Sequence, residues 1–246
     1  MRGDLMFEDQ PIPTFDAEPR NLDTSLSKDS TCSPYRFNSR GYGSHQAITE
    51  LIRPGTSVLD IGCASGYLMT HLQNSKGCRC VGIEQSREAA LVARNAGFRV
   101  LNDDALDGIA NIAKTDRFDH IVFGDVLEHL VDPMAVLVAS RSLLSPSGSV
   151  IVSLPNIVSL RARVTIALGI WRYHESGVFD KTHLRFFSVK TGRELLREAG
   201  FRITHEEFVG PLTFWGGRHL KFVNGLWPNL LGNQMVFSAQ TNESSN

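Results

Sequence analysis

Val58-Leu59-Asp60-Ile61-Gly62-Cys63-Ala64-Ser65-Gly66 is the stretch on which the reading of this chain turns. The short, apolar, β-branched run Ser57–Ile61 reads as a strand buried on both faces. It enters a turn with glycine at each end, and Tyr67–Gln73 then reads as helix. Glycine there lets a backbone approach a ligand and adopt φ values barred to other residues. The following helix N-terminus offers free N–H groups to a carboxylate or phosphate.

Outward from this unit, strands and helices alternate. Cys80–Ile83 is a second strand, and Ser86 caps a helix over Arg87–Asn95 that Gly97 closes. Phe98–Leu101 and Phe118–Phe123 are strands three and four. Met134–Leu144 is helical, and Ser149–Leu154 is a fifth strand stopped by Pro155. Ser44–Ile52 precedes them as a first helix, ended by Pro54-Gly55. This alternation predicts a parallel sheet with helices on both faces. Beyond Pro155 the sequence predicts an inserted helix over Ile157–Ile170, a helix from Ser188 to Ala199, and strands over Phe201–Phe208 and Met235–Gln240. Gly210–Gly232 reads as an unusually long loop. Residues 1–34 read as a mobile arm, 35–241 as one domain with lid-like insertions at about 157–187 and 210–232, and 242–246 as a disordered tail.

The turn does not follow the dinucleotide pattern G-x-G-x-x-G, because Ala64 stands between Gly62 and Gly66. Asp60 lies two residues before the first glycine. An acid there repels a pyrophosphate and attracts the ammonium and sulfonium of S-adenosylmethionine. Glu84 ends the second strand, where doubly wound folds put an acid on ribose hydroxyls. Asn102-Asp103-Asp104-Ala105 follows the third strand, and Asp104 can accept from an adenine amine.

VLDIGCASG, the Gly82–Glu84 segment GIE, Asp104-Ala105 and FDHIVFGDVLEHLVDP (118–133) together resemble motifs one to four of class I S-adenosylmethionine-dependent methyltransferases, in order and spacing, over about residues 55–210. The nearest groups are the methyltransferases similar to the methionine-biosynthesis W protein and the ubiquinone-biosynthesis O-methyltransferases. SLPN (153–156) followed by FDKTHLRFFS (179–188) resembles the former. The resemblance implies a Rossmann-like α/β fold: a mostly parallel seven-stranded sheet with an antiparallel last strand. It implies S-adenosylmethionine as cofactor, contacted by Asp60, Gly62, Cys63, Ala64, Gly66, Glu84, Gln85, Asp104, Ala105, Gly124 and Asp125. Ala64 departs from the family, which usually has glycine there, and strains the loop.

Methyl transfer is an in-line displacement, so the protein chiefly holds an acceptor lone pair behind the methyl group. His129 is the first candidate base, four residues after Asp125 and on its helix face if a helix starts there. His183 is the second, with Asp180 and Arg185 beside it as candidate acceptor contacts. The alternative for that knot is structural, with Asp180 pairing with Arg185. Asp125, Glu128 and His129 also resemble the magnesium site of ubiquinone-type enzymes, but histidine is not a preferred magnesium ligand, and no metal is assigned. By fold analogy, Tyr35, Arg36, Tyr42 and His45 close over the methionine end, with Tyr42 touching the acceptor. Trp171, Tyr173, Phe214, Trp215 and Trp227 line an acceptor pocket or pack a lid or dimer face.

Lys plus Arg (25) nearly balances Asp plus Glu (26), so the basic footprint of a nucleic-acid binder is absent. The four cysteines form neither a zinc pattern nor a disulfide framework, which fits a cytoplasmic protein. Apolar Ile157–Ile170 has Arg161, Arg163 and Arg172 on or near it, but the first two splay on a helix, so no membrane partner is expected. The expectation is an enzyme, monomer or homodimer, that methylates an oxygen or nitrogen of a small molecule in biosynthesis. The competing expectation is a methyltransferase-like subunit that binds without turnover.

Overall fold

A computed structural model describes residues 43–112, 116–210 and 221–242, with side chains from 224 onward in the last segment. The arm over 1–34, Tyr35, Arg36, Tyr42, Phe214, Trp215 and the tail from 243 lie outside the described residues. The described residues belong to the compact unit Cys32–Asn246.

Seven strands form one sheet in the order β3-β2-β1-β4-β5-β7-β6. They are β1 Ser57–Ile61, β2 Arg79–Ile83, β3 Arg99–Leu101, β4 Phe118–Gly124, β5 Leu144–Pro155, β6 Phe201–Val209 and β7 Gln234–Thr241. β1 pairs in parallel with both β2 and β4, which is why its residues are almost all buried and its sequence shows no alternation. β7 runs antiparallel to both neighbours, β5 and β6, as the expected last strand does.

Helices α1 Ser44–Leu51, α2 Tyr67–Lys76 and α3 Arg87–Asn95 share one face of the sheet. Ala47, Ile48, Met69, Leu72, Ala90 and Ala93 form the core there. On the other face lie α4 Ala105–Ile112, α5 Pro133–Ser140 and α7 Val189–Glu198, through Ile109, Ile112, Val136, Leu137 and Leu196. Ser86 caps α3 by accepting from Ala89 N–H, as its place in the sequence predicts. The chain leaves β1 toward β2 on one side, while β4 leads to β5 on the other. The carboxyl ends of β1 and β4 therefore make the switch-point crevice of an open α/β sheet.

Four elements differ from expectation. α4 was not predicted, because Gly108 interrupts its pattern; a Cβ there would lie 2.7 Å from Ile83 Cγ2, so close packing on β2 demands glycine. The inserted helix α6 covers only Leu160–Ala167, starting where Ser159 caps it. The stretch read as a loop over 210–232 contains α8 Lys221–Leu226 and α9 Pro228–Leu231. No α-helix begins at Asp125: Leu127–His129 is a single 3₁₀ turn, so Asp125 and His129 do not share a helix face. Among the described residues no helix is long and apolar enough to cross a membrane.

Candidate active site

Beyond β1 the backbone turns left-handed at Gly62 (φ +73°), Ala64 (+48°) and Gly66 (+79°). The N–H groups of Gly62 and Cys63 both donate to Ile83 O, at 2.8 and 3.1 Å, which lays the loop over the end of β2. A Cβ on Gly62 would stand 2.5 Å from Val126 Cγ2. Ala64 bears the cost of a left-handed residue with a Cβ, about 1 kcal/mol. Its N–H donates to Glu84 Oε2 at 2.9 Å, while Ser86 N–H donates to Oε1 at 2.7 Å. A carboxylate has about four acceptor sites, so Glu84 keeps capacity for two ligand hydroxyls after bracing the loop. Asn102 Nδ2 donates to the carbonyls of Glu84 and Gln85, both at 2.9 Å, and fixes the exit of β2.

Asp60 is 3% exposed and accepts no hydrogen bond from the described residues. Burial, and then the neighbouring Glu84 charge, push its carboxyl up to about 7. A buried carboxyl without a donor is costly unless a cation comes beside it. The left-handed cradle, the braced Glu84 and this unpartnered acid fit S-adenosylmethionine, with its hydroxylated ribose and two cationic centres. Cys63 is buried, its thiol held up by burial and by Asp60 and Glu84, so it is an inert wall. Asp104 is exposed, and its Oδ1 accepts from Leu106 and Asp107 N–H to cap α4. Only the rest of that carboxylate is open to a ligand.

The exit of β4 forms the other wall. Asp125 is left-handed too (φ +55°), a conformation held by three strands. Its N–H donates to Ser153 Oγ at 3.0 Å, Ser153 Oγ donates back to Oδ1 at 2.6 Å, and Gln234 Nε2 reaches Oδ2 at 3.5 Å. The turn that follows presents Glu128 and His129. The Glu128 carbonyl accepts from Leu184 and Arg185 N–H, at 2.8 and 3.0 Å, and so docks the His183 segment. The Glu128 side chain is 1% exposed, and Oε2 lacks a partner among the described residues. Burial, with the charges of Asp125 and Asp180, holds its carboxyl well above the usual range and favours the protonated form.

Two imidazoles stand over Glu128, their ring centroids 4.8 Å apart. His183 Nδ1 lies 3.3 Å from Val178 O, and a carbonyl only accepts, so Nδ1 carries the hydrogen and Nε2 the lone pair. That Nε2 is 4.0 Å from Glu128 Oε1. Burial, then His129, lower the pKa of His183 and favour the neutral ring. His129 Nδ1 lies 3.2 Å from Thr182 O and 3.1 Å from Thr182 Oγ1. The Thr182 hydroxyl gives its hydrogen to Asp180 Oδ1 at 2.6 Å, so His129 Nδ1 donates and its Nε2 is also free to act as a base. Burial opposes the charge on Asp180, but the Thr182 hydroxyl and N–H outweigh it and lower its pKa.

His129 and His183 are thus brought together, and Asp180 joins them through Thr182, a residue the sequence reading passed over. The alternative Asp180–Arg185 pair is not formed: the Arg185 guanidinium donates to Val131 O at 2.7 Å, on the exposed rim. Glu128, His129 and His183 each bring one ligand atom within 4.8 Å of the others. Asp125 is turned instead to Ser153 and Gln234, so the magnesium triad suggested by resemblance does not fit, and two imidazoles are poor magnesium ligands. His45 lies where Asp125 offsets the burial that lowers its pKa, and its Nε2 is 3.3 Å from Tyr67 Oη. Tyr67, Ser153 and Gln234 were also missed. Gln234 has no local signal, because only the return of β7 brings it to the site.

The methyltransferase domain family matches residues 38–206. A ubiquinone biosynthesis O-methyltransferase of Xanthomonas campestris is 32% identical over 107 residues, covering 42% of this chain and 44% of that protein. Its counterpart in Cereibacter sphaeroides is 29% identical over 153 residues, covering 59% and 60%. The matches thus span less than two thirds of these relatives. A crystal structure of a SAM-dependent methyltransferase from Archaeoglobus fulgidus superposes with a TM-score of 0.55 at 19% identity, covering 79% of this chain and 89% of the other. The chain belongs to the methyltransferase domain family and has the class I fold of S-adenosylmethionine-dependent enzymes.

Proposed function

We propose that this enzyme moves a methyl group from S-adenosylmethionine to an oxygen or nitrogen of a small biosynthetic molecule, with His129 as the base. The carrying observation is the pair of imidazoles, each with Nδ1 bound to a carbonyl and Nε2 left to act. Val126 links the two halves: it packs against Gly62, and its carbonyl accepts from His129 N–H at 2.9 Å. The names of the curated relatives, O-methyltransferases of ubiquinone biosynthesis, support an acceptor oxygen and a biosynthetic setting.

When bound, the cofactor supplies an electrophilic methyl carbon on a sulfonium. Asp60 and the Gly62–Gly66 loop hold its methionine end, Glu84 accepts the ribose hydroxyls, and Gln85, Asp104 and Ala105 border the base. Gly124 and Asp125 close the side nearest the acceptor. Positioning of this kind lowers the barrier by roughly 7–11 kcal/mol at best. His129 Nε2 takes the acceptor proton, and the charged Asp180 behind Thr182 steadies the imidazolium that forms. His183 and the buried Glu128 floor the pocket and exclude water.

The test is incubation with methyl-labelled cofactor and a panel of phenols, hydroxy acids and amines, with S-adenosylhomocysteine release as readout. Turnover that His129→Asn abolishes, with cofactor affinity retained, supports the reading. Tight cofactor binding with no turnover on any member favours the non-catalytic subunit.

A further inference from the structure

Helix α6 is unusual in what it buries. Of its eight residues only Ala162 is buried, while Leu160, Val164 and Ile166 are all exposed. At about 100° per residue, Leu160, Val164 and Leu168 form one stripe, and Ala162 lies on the opposite side. The apolar stripe therefore faces away from the protein. Arg161 and Arg163 lie on opposite flanks of it, about 60° and about 100° from its centre. The splay that argues against a surface role in the sequence becomes, with the apolar side outward, a bracket with one arginine on each flank.

The exposed apolar surface continues past the helix. Leu168 is 69% exposed, and Trp171 and Tyr173 follow, in edge-to-face contact at 6.3 Å and half to two-thirds exposed. On the other flank, Arg163 lines a cavity of about 350 Å³ with Leu226 and Trp227, and Trp227 is 61% exposed. Residues 157–174 carry Arg161, Arg163 and Arg172 and no acid, on a chain whose net charge is −1. Positive charge is thus gathered on this exposed apolar segment.

We propose that this face, α6 with the Trp171–Tyr173 segment, seats the enzyme on an anionic lipid surface. Aliphatic side chains on an outward stripe enter the headgroup boundary, and tryptophan and tyrosine belong at that depth, apolar body down and polar tip in water. Arginines on both flanks bury their stems and hold their guanidinium groups among lipid phosphates. A second copy of the chain is the poorer occupant, since it would set three arginines against three more.

Flotation of the full chain with vesicles tests this, since it requires no turnover and is independent of the proposed chemistry. One set is phosphatidylcholine alone, the other phosphatidylcholine with phosphatidylglycerol. The chain is expected to float with the anionic set only, and to be released by salt. Arg161→Gln and Arg172→Gln should each weaken binding about fivefold. Val164→Glu with Leu168→Glu, both at solvent-facing positions, should abolish it while S-adenosylhomocysteine affinity is unchanged, which shows the variant folded. No flotation with either set, or equal flotation with both, overturns the proposal. So does a concentration-dependent dimer in buffer that the Val164→Glu, Leu168→Glu variant dissolves, which would assign the face to a second copy.

Discussion

With Asp60 at the methionine end of the cofactor, as proposed, binding is expected to release a proton. In the free protein the Asp60 carboxyl is buried and sits beside Glu84, and its pKa rises from 3.8 to about 7. Between those values the folded protein holds a proton that the unfolded chain does not. The free protein therefore loses stability as pH rises through that window, by about 4 kcal/mol in all. A sulfonium and an ammonium brought beside Asp60 reverse the preference and favour the anion. Affinity for S-adenosylmethionine should then fall about tenfold for each pH unit below 7 and level off above it. Titration calorimetry in two buffers of different ionisation heat should read close to one proton released per cofactor at about pH 6. S-adenosylhomocysteine, which lacks the sulfonium, should show a shallower slope. Asp60→Asn should flatten both profiles and remove the stability loss of the free protein. A slope that survives in Asp60→Asn, or a wild-type affinity indifferent to pH in this range, refutes the assignment.

Gly62→Val combines a left-handed backbone with a Cβ 2.5 Å from Val126 Cγ2, so it should abolish cofactor binding by calorimetry; normal binding would mean that the loop is not the cofactor cradle. Ala64→Gly should relieve the left-handed strain of about 1 kcal/mol and raise the melting temperature by roughly 2–4 °C; an unchanged or lower value contradicts the strain. Thr182→Val cuts the link from Asp180 to His129 and should lower kcat by about tenfold to a hundredfold, a share of what a general base contributes, with cofactor affinity unmoved. His129→Ala should depress the rate roughly 10²–10⁴-fold, with a smaller loss at high pH where the acceptor ionises unaided. His183→Ala, which opens the floor of the pocket, should cost less in kcat and leave cofactor affinity unmoved. Loss of melting temperature and cofactor affinity together in that variant would make His183 a structural brace.

The cofactor half was legible because its parts are local. A strand, a glycine turn and a helix start lie in consecutive residues, and Glu84 follows from the end of the next strand. Asp104 shows the limit of that logic: its place after β3 suggests a ligand to adenine, while one of its oxygens serves the cap of α4, a helix that Gly108 conceals in the sequence. The acceptor half resisted for a different reason. His129 and His183 are each visible as polar residues near a sheet edge, but what orients them is non-local. Thr182 is 53 positions from His129, and Gln234 is 109 from Asp125. No period or motif spans such gaps. Exposure was equally illegible: the apolar residues of α6 look like core in sequence, and only packing reveals that they face outward.

The strand order carries a consequence for synthesis. β7 is made after the other six strands of the sheet, yet it lies between β5 and β6. A chain emerging from the ribosome can assemble β1 to β4 and the loops that follow them while Gln234–Thr241 is still enclosed. Until Gln234–Thr241 emerges, β5 keeps an unpaired edge and β6 has no partner strand, a hazard for a nascent chain. The contact from Gln234 to Asp125 closes only then. The acceptor half is therefore finished after the cofactor half, and a chain cut short before β7 should bind cofactor weakly and transfer nothing.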